Sequence, residues 1–238
     1  MADELERTKP VTRETAIREP ILAAAVELFR NHGFAGTSMQ DIATAAGLSR
    51  PALYYHFKNK EEILRSLVEV VTVRTQREAA RIASTATSDH AELLRAVVFS
   101  HAVSLLRHPQ HFAVLQRDER HLPARVQALQ EKAKRELFDT FSHLIRSGVS
   151  AGMFRECDPV VTAFCIFGMC SWTVQWFKPG GKMSADKVAE IIADNAVSMV
   201  RRNGGAGDLS PASWLAVIKD DIAHLERVIT QKDGAKRS

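Results

Sequence analysis

TSMQDIATAAGLSRPALYYHFKNKEEIL, Thr37 to Leu64, decides how this chain is read. Thr37 or Ser38 caps a short helix over SMQDIATAA, with Ile42 facing inward. Gly47 makes a tight turn. Ser49 is a second N-cap, Pro51 sits in a first helical turn, and ALYYHF completes a second short helix. Two short helices joined by a brief Gly-centred turn fit the helix-turn-helix pattern. Asn59 then caps a longer helix, whose Glu61 and Glu62 suit its positive end.

The charge pattern of this stretch points to a polyanion. Between Asp41 and Glu61 there is no acid, whereas Arg50, Lys58 and Lys60 all lie there. A phosphate backbone rewards that arrangement through counterion release. Helix starts offer N–H groups to phosphate, which makes Thr37, Ser49 and the segment near Lys60 candidates. The polar tips of Tyr54, Tyr55 and His56 can bond phosphate oxygens and fix register. Arg50 and Ala52, at the start of the second short helix, face base edges, since arginine reads guanine and a small apolar group reads a thymine methyl. Leu53 and Phe57 are read as core.

Working outward, the 238 residues are 45% hydrophobic and 25% charged, with 12 Gly and 8 Pro. That composition belongs to a globular chain. Apolar residues recur at steps of three and four almost throughout, so the fold class is all-α. A net charge of +4 is a weak pointer to an anionic partner. Cys157, Cys165 and Cys170 form no CxxC pair, so neither a disulfide framework nor a zinc site is expected, and reduced thiols suit a cytoplasmic location. The opening MADELERTKP has no apolar segment of the secretory type.

The first helix carries Ile17, Ile21, Leu22, Ala25, Leu28 and Phe29 on one face. Gly33 ends it, and Pro20 requires that it begin near Arg18 or bend there. Helices follow after Asn59, after Ser88 or Asp89, from about Pro123 to Gly152, from Asp158-Pro159 and after Ser184. HFAVLQRDERHLP is a short connecting segment. From Pro159 to Phe177 no residue is charged, close to the length of a membrane span. Its Thr, Ser and Gln residues and its isolation favour a helix buried in protein on several faces. The expected organisation is a loose N-terminus over 1–11, a helix-turn-helix domain over 12–62, a helical domain over 63–203, and a linker with an appended amphipathic helix over 204–238.

No Gly-rich phosphate loop, HExxH or GxSxG is present, so no catalytic residue, metal site or cofactor is expected. His101, His108, His111 and His121, with Asp118 and Glu119 nearby, are read as solvated or capping groups rather than metal ligands.

The stretch quoted first resembles the DNA-binding domain of the TetR family of bacterial transcription regulators. Thr37, Ile42, Ala43, Ala46, Gly47, Ser49, Leu53, Tyr54, His56, Phe57, Lys60 and Glu61 carry the likeness. It implies a helical homodimer with an N-terminal three-helix domain holding the recognition helix and a larger domain for effector binding and dimerisation. It also implies DNA contacts at Thr37, Ser49, Arg50, Tyr54, Tyr55, His56 and Lys60. Pro51 stands where the family often has Gly. LQRDERHLP, IRSGVSAGMF and GMCSWTVQWFKPGG resemble a branch of repressors of fatty-acid and steroid catabolism that answer to acyl-coenzyme A thioesters. That branch commonly has Asn at Ser171 and Tyr at Phe177.

On this resemblance the expected function is a dimeric repressor of a near-palindromic operator, released by a small hydrophobic, acyl-CoA-like effector. Trp172 and Trp176, one turn apart, either line the effector cavity or pack the dimer interface, and Arg117 or Lys178 would meet a phosphate or thioester end. Pairing of the 159–177 and 185–202 helices with a second copy would form a four-helix bundle. A repressor sensing lipophilic drugs, a nonspecific architectural DNA binder and a helical enzyme are the competing readings.

Overall fold

The computed structural model describes residues 13–117 and 122–202, with side chains from Ile17, together with Leu215 and Lys219. The expected loose N-terminus, the linker and most of the appended helix lie outside these residues, as do Asp118, Glu119 and His121. Leu215 and Lys219 are helical and exposed. Every regular element among the described residues is a helix, in agreement with the all-α reading.

α1 (Arg13–Gly36) begins before Arg18 and runs through Pro20, and its backbone leaves helical geometry at Gly33, where φ is 73°. Ile21, Ala25 and Phe29 are completely buried, as the spacing of its apolar residues requires. α2 (Met39–Ala45) and α3 (Arg50–His56) are the two short helices of the opening motif. The turn between them passes through Gly47 at φ 67°, a left-handed conformation that favours glycine. Ile42, Leu53 and Phe57 are fully buried beneath them. Arg18 pins this head: its guanidinium stands 4.2 Å over the Phe57 ring and donates to the His56 carbonyl and to Ser66 Oγ, both at 3.3 Å.

α4 (Lys60–Val68) continues without a break into a π-helical turn (Glu69–Val73) and then α5 (Arg74–Ala83). α6 (His90–Arg107), capped by Asp89, forms the centre of the larger part, with α10 (Ala185–Val200), α5, α8 (Ala124–Ser150) and α9 (Pro159–Trp176) packed around it. The segment after His108 is not a plain connection. Pro109 sits comfortably in a first turn, and a helix α7 (Pro109–Arg117) packs against α1. Exposed pairs Arg95–Asp194 (2.7 Å) and Arg107–Asp186 (2.8 Å) join α6 to α10. Exposed pairs contribute at most about 1 kcal/mol each, so apolar burial holds these helices together.

α9 departs from expectation. Asp158 caps it by accepting from the Val160 and Val161 N–H groups, both at 2.9 Å. Only 28% of the helix is buried against the rest of the chain. Val161, Trp172 and Trp176 are exposed along one side of it. Its uncharged sequence therefore reflects a face left open by this chain, not a helix enclosed by it.

The end of α8 is shaped by close approach. A Cβ on Gly148 would fall inside the Phe154 ring, 2.8 Å from its Cγ. Phe154 is 4% exposed, and Arg155 beside it bonds the Val200 and Met199 carbonyls, so the ring has little room to retreat. Gly148→Ala is expected to lower the unfolding free energy by roughly 1–3 kcal/mol in urea titration, although Ala is the better helix former. Unchanged or raised stability would contradict this packing.

Candidate nucleic-acid interface and ligand cavity

The outer face of α3 is built by helical spacing. Leu53 turns into the core, which leaves Arg50, Tyr54 and Tyr55 exposed and Ala52 and His56 half-buried. Tyr55 is 86% exposed and meets the His56 ring edge-on at 5.2 Å. The Arg50 guanidinium lies 5.5 Å from the Tyr54 ring, near enough for the ring to restrict it. Arg50, Tyr54 and Lys60 line one wall of a concavity with the end of α1 and the start of α2. The concavity is lined by two cations, Arg50 and Lys60, and one phenol hydroxyl, Tyr54, with no acid among its described lining residues.

The structure resolves one alternative and adds two details that the sequence does not show. Ser38, not Thr37, caps α2, in a reciprocal pair with Asp41: Ser38 Oγ accepts from the Asp41 N–H at 3.1 Å, and the Asp41 carboxylate accepts from the Ser38 N–H at 2.8 Å. The Ser38 bonds hold the Asp41 carboxyl below its ordinary pKa. Thr37 is 2% exposed, and its hydroxyl donates to the Gly33 carbonyl at 2.9 Å, so it cannot reach outward. Lys60 is half-buried. Its Nζ donates to the Phe34 carbonyl at 2.7 Å and stands 4.8 Å over the Phe34 ring, tying α4 to the end of α1. Side chains also occupy part of the donor set at the helix starts, as Ser49 Oγ accepts from the Ala52 N–H (3.4 Å) and Asn59 Oδ1 from the Glu62 N–H (2.8 Å).

A second feature lies in the larger part of the chain. A cavity of about 440 Å³ is enclosed by the π-helical turn, α6, α7, α8 and α9. That size suits a small-molecule ligand. Its wall is mainly apolar and aromatic, with Phe112, Phe138, Phe164 and Phe167 prominent. Lys134 and Arg135 lie in it, and no Asp or Glu lines it among the described residues. Ser171 also faces it, so one residue that departs from the resembling branch falls in this wall.

The four residues expected at an effector are not in the cavity wall. Arg117 is turned the other way: its guanidinium donates to the Arg30 carbonyl of α1 at 2.7 Å. Trp172 and Trp176 are 69% and 48% exposed on the open side of α9, because residues one position away along a helix point in another direction. Lys178 is exposed beyond the end of α9.

Sequence reading missed the polar groups that do line the cavity. His101 is 6% exposed, and Gln130 2%. Neither ring nitrogen of His101 and not the Gln130 Oε1 has a hydrogen-bond partner. The signal was present: His101 follows Leu94, Val97 and Val98 on the apolar face of α6. Burial pushes the His101 pKa down to about 4. The His111 pKa is likewise lowered to about 4, by burial and then by His108, whose ring stacks on it at 5.2 Å. Among the described residues no group of three metal-ligating side chains is assembled.

Comparison with known proteins follows this division. The pattern described as "Bacterial regulatory proteins, tetR family" matches residues 21–67, and that described as "Tetracyclin repressor-like, C-terminal domain" matches residues 87–200. The HTH-type transcriptional repressor KstR2 of Mycolicibacterium smegmatis is 30% identical over 180 residues, covering 73% of this chain and 85% of that protein. The crystal structure of the TetR family transcriptional regulator PfmR from Thermus thermophilus aligns with a TM-score of 0.66 at 30% identity, over 76% of this chain and 99% of that one. AibR, in complex with isovaleryl coenzyme A and operator DNA, aligns with a TM-score of 0.60 at 28% identity, over 78% and 98%.

The buried histidines make stability depend on pH. An unfolded histidine titrates near 6.5, whereas folded His101 and His111 resist protonation until about 4. Between these values the unfolded chain binds protons that the folded chain refuses, so stability falls as pH drops through 6.5 toward 4. Thermal unfolding is expected at a lower temperature at pH 5 than at pH 7, with a weaker dependence in His101→Leu. A midpoint that rises on acidification would contradict the burial of these rings.

Proposed function

Because the chain belongs to the TetR family of bacterial regulatory proteins, we propose that it is a ligand-responsive transcriptional repressor, working in the cytoplasm as a homodimer on a near-palindromic operator. The observation that carries this reading is the continuous helix from Lys60 to Ala83. One end of it is packed into the helix-turn-helix head, and its π-helical turn supplies Val71 and Thr72 to the cavity wall. A ligand that favours one position of that helix would change the affinity of the head for DNA.

At the operator, α3 enters the major groove. Arg50 and Ala52 read base edges, and Tyr54 and Tyr55 bond phosphates. Ser49 and His56 border that contact, and Lys60 adds charge while bracing α1. Thr37 contributes by positioning the start of α2. Pro51 has no N–H to donate, so more of the contact falls on Arg50 and Ala52. The open apolar side of α9, with Val161, Trp172 and Trp176, is the surface for a second copy.

The effector is a small apolar acid derivative, with an acyl-coenzyme A thioester the leading class. AibR, a structural relative, is described with isovaleryl coenzyme A. The cavity would hold the acyl part, and the phosphates of the nucleotide would stay in water, since burying them without partners is costly. KstR2, PfmR and AibR are regulators, and no nucleophile–base constellation is found among the described residues, so binding rather than catalysis is the role.

Selection of bound genomic fragments followed by footprinting is expected to reveal one short inverted repeat, protected in competitor DNA and released by acyl-CoA thioesters. Protection indifferent to sequence would instead favour an architectural protein. Binding of planar cations without any response to CoA esters would favour the drug-sensing reading. Arg50→Ala is expected to cost about 1–3 kcal/mol on the operator and much less on random DNA. Equal losses on both would remove Arg50 from base readout. Trp172→Glu is expected to convert dimer to monomer in light scattering. An unchanged dimer would move the interface elsewhere.

A further inference from the structure

The cavity wall contains two buried polar groups that nothing in the protein satisfies. His101 offers an N–H and a lone pair with no partner for either nitrogen, and Gln130 offers an unpartnered carbonyl oxygen. Buried polar atoms are nearly always paired, because each unpaired one costs about 1–3 kcal/mol. The structure keeps two of them in the wall of the same apolar space.

They stand at different levels of the wall. His101 sits in a nest of rings, 5.9 Å from Phe141 and 4.9 Å from Phe167. Gln130 lies three turns earlier on α8 than Phe141, about 16 Å along the helix axis at 1.5 Å per residue. Between the two levels run Leu137, Phe138 and Phe164, with no neutral polar side chain from α8 in the wall. Lys134 is one turn from Gln130 and also lines the wall at that level. With its pKa lowered by burial, His101 is neutral at ordinary pH and recognises an uncharged group.

We propose that this cavity selects an elongated, rigidly apolar-bodied or extended molecule with a hydrogen-bonding group at each end: a hydroxyl or carbonyl at His101, and a donor-bearing group at Gln130. A plain hydrocarbon acyl part would leave His101 unpaired, so among acyl-coenzyme A thioesters those bearing a hydroxyl or carbonyl toward the far end are favoured. A hydroxyl can serve either ring nitrogen, and a carbonyl can accept from the N–H. The discrimination arises because a ligand lacking the far group displaces water from His101 without replacing its bonds. The inference rests on the reading of this cavity as the effector site.

The test is calorimetric titration of the full chain, without DNA, using two matched sets of compounds. One is a twelve-carbon chain with a hydroxyl at both ends or at one. The other is a fused four-ring hydrocarbon substituted in the same two ways. In at least one set the two-ended member is expected to bind roughly tenfold tighter or more, the gain of satisfying one buried group. The preference is expected to shrink to less than about threefold in His101→Leu and in Gln130→Leu. His101→Asn, which keeps a donor and an acceptor, is expected to retain part of it, so a merely disturbed core is distinguishable. Equal affinities within both sets, no binding by either two-ended compound, or a preference untouched by the Leu variants would overturn the proposal. Two-ended compounds that bind with this preference yet never release operator DNA would leave the ligand class standing and remove the effector reading. Operator release by a compound without polar ends would do the reverse.

Discussion

The helix from Lys60 to Ala83 is the constraint on which the remainder of the described fold depends. Its first two turns are welded into the head: Ile63, Leu64, Leu67 and Val68 are completely buried. Lys60 at its start caps the carbonyls of α1, and Arg18 of α1 reaches Ser66. The next turn is π-helical, the kind of local irregularity that recurs where helices carry function. Thr75 steadies it by donating to the Val71 carbonyl at 2.8 Å and meeting Ser104 of α6 at 2.7 Å. A shift of this turn is therefore felt in the head at one end and in the central helix at the other.

α7 provides a second link. Phe112, Leu115 and Gln116 line the cavity, and the next residue, Arg117, bonds the Arg30 carbonyl. Two elements thus touch both the cavity and the head. Packed interfaces of this type move between discrete arrangements rather than deforming smoothly, which is what a switch between two DNA affinities requires. The aromatic wall serves the same end. Phe138, Phe164 and Phe167 of the wall, with Phe141 behind them, meet in tilted and edge-on contacts at 4.4–5.8 Å, so a ligand among them must displace or stiffen a connected set of rings.

Much of the head was legible because its signals are local. Ser38, Ser49 and Asn59 mark helix starts, and Gly47 marks a left-handed turn. Each acts over three or four residues, so a linear reading suffices. Where the reading slipped, a distant partner had intervened. Lys60 reads along the chain as an open cation, and only the fold shows its ammonium bonded to the α1 carbonyls. Thr37 looked like a cap until Gly33 took its hydroxyl. α7 passed for a connection because Pro109 reads as a stop, although a first-turn proline is also a start.

The sequence by itself determined the class of fold, the helix-turn-helix and the side chains its outer helix presents, since helical periodicity and caps depend on neighbours along the chain. The tertiary structure alone decided which side chains line the cavity. Arg117, Trp172, Trp176 and Lys178 are chemically apt for an effector, yet the rotation of α9 and the pull of Arg30 turn them away from the cavity. His101 reads as an ordinary polar residue, and Gln130 draws no notice, until the helices around the cavity bury them and leave both His101 nitrogens and the Gln130 Oε1 without a partner. That isolation is a property of packing between segments distant in sequence, and no local pattern encodes it.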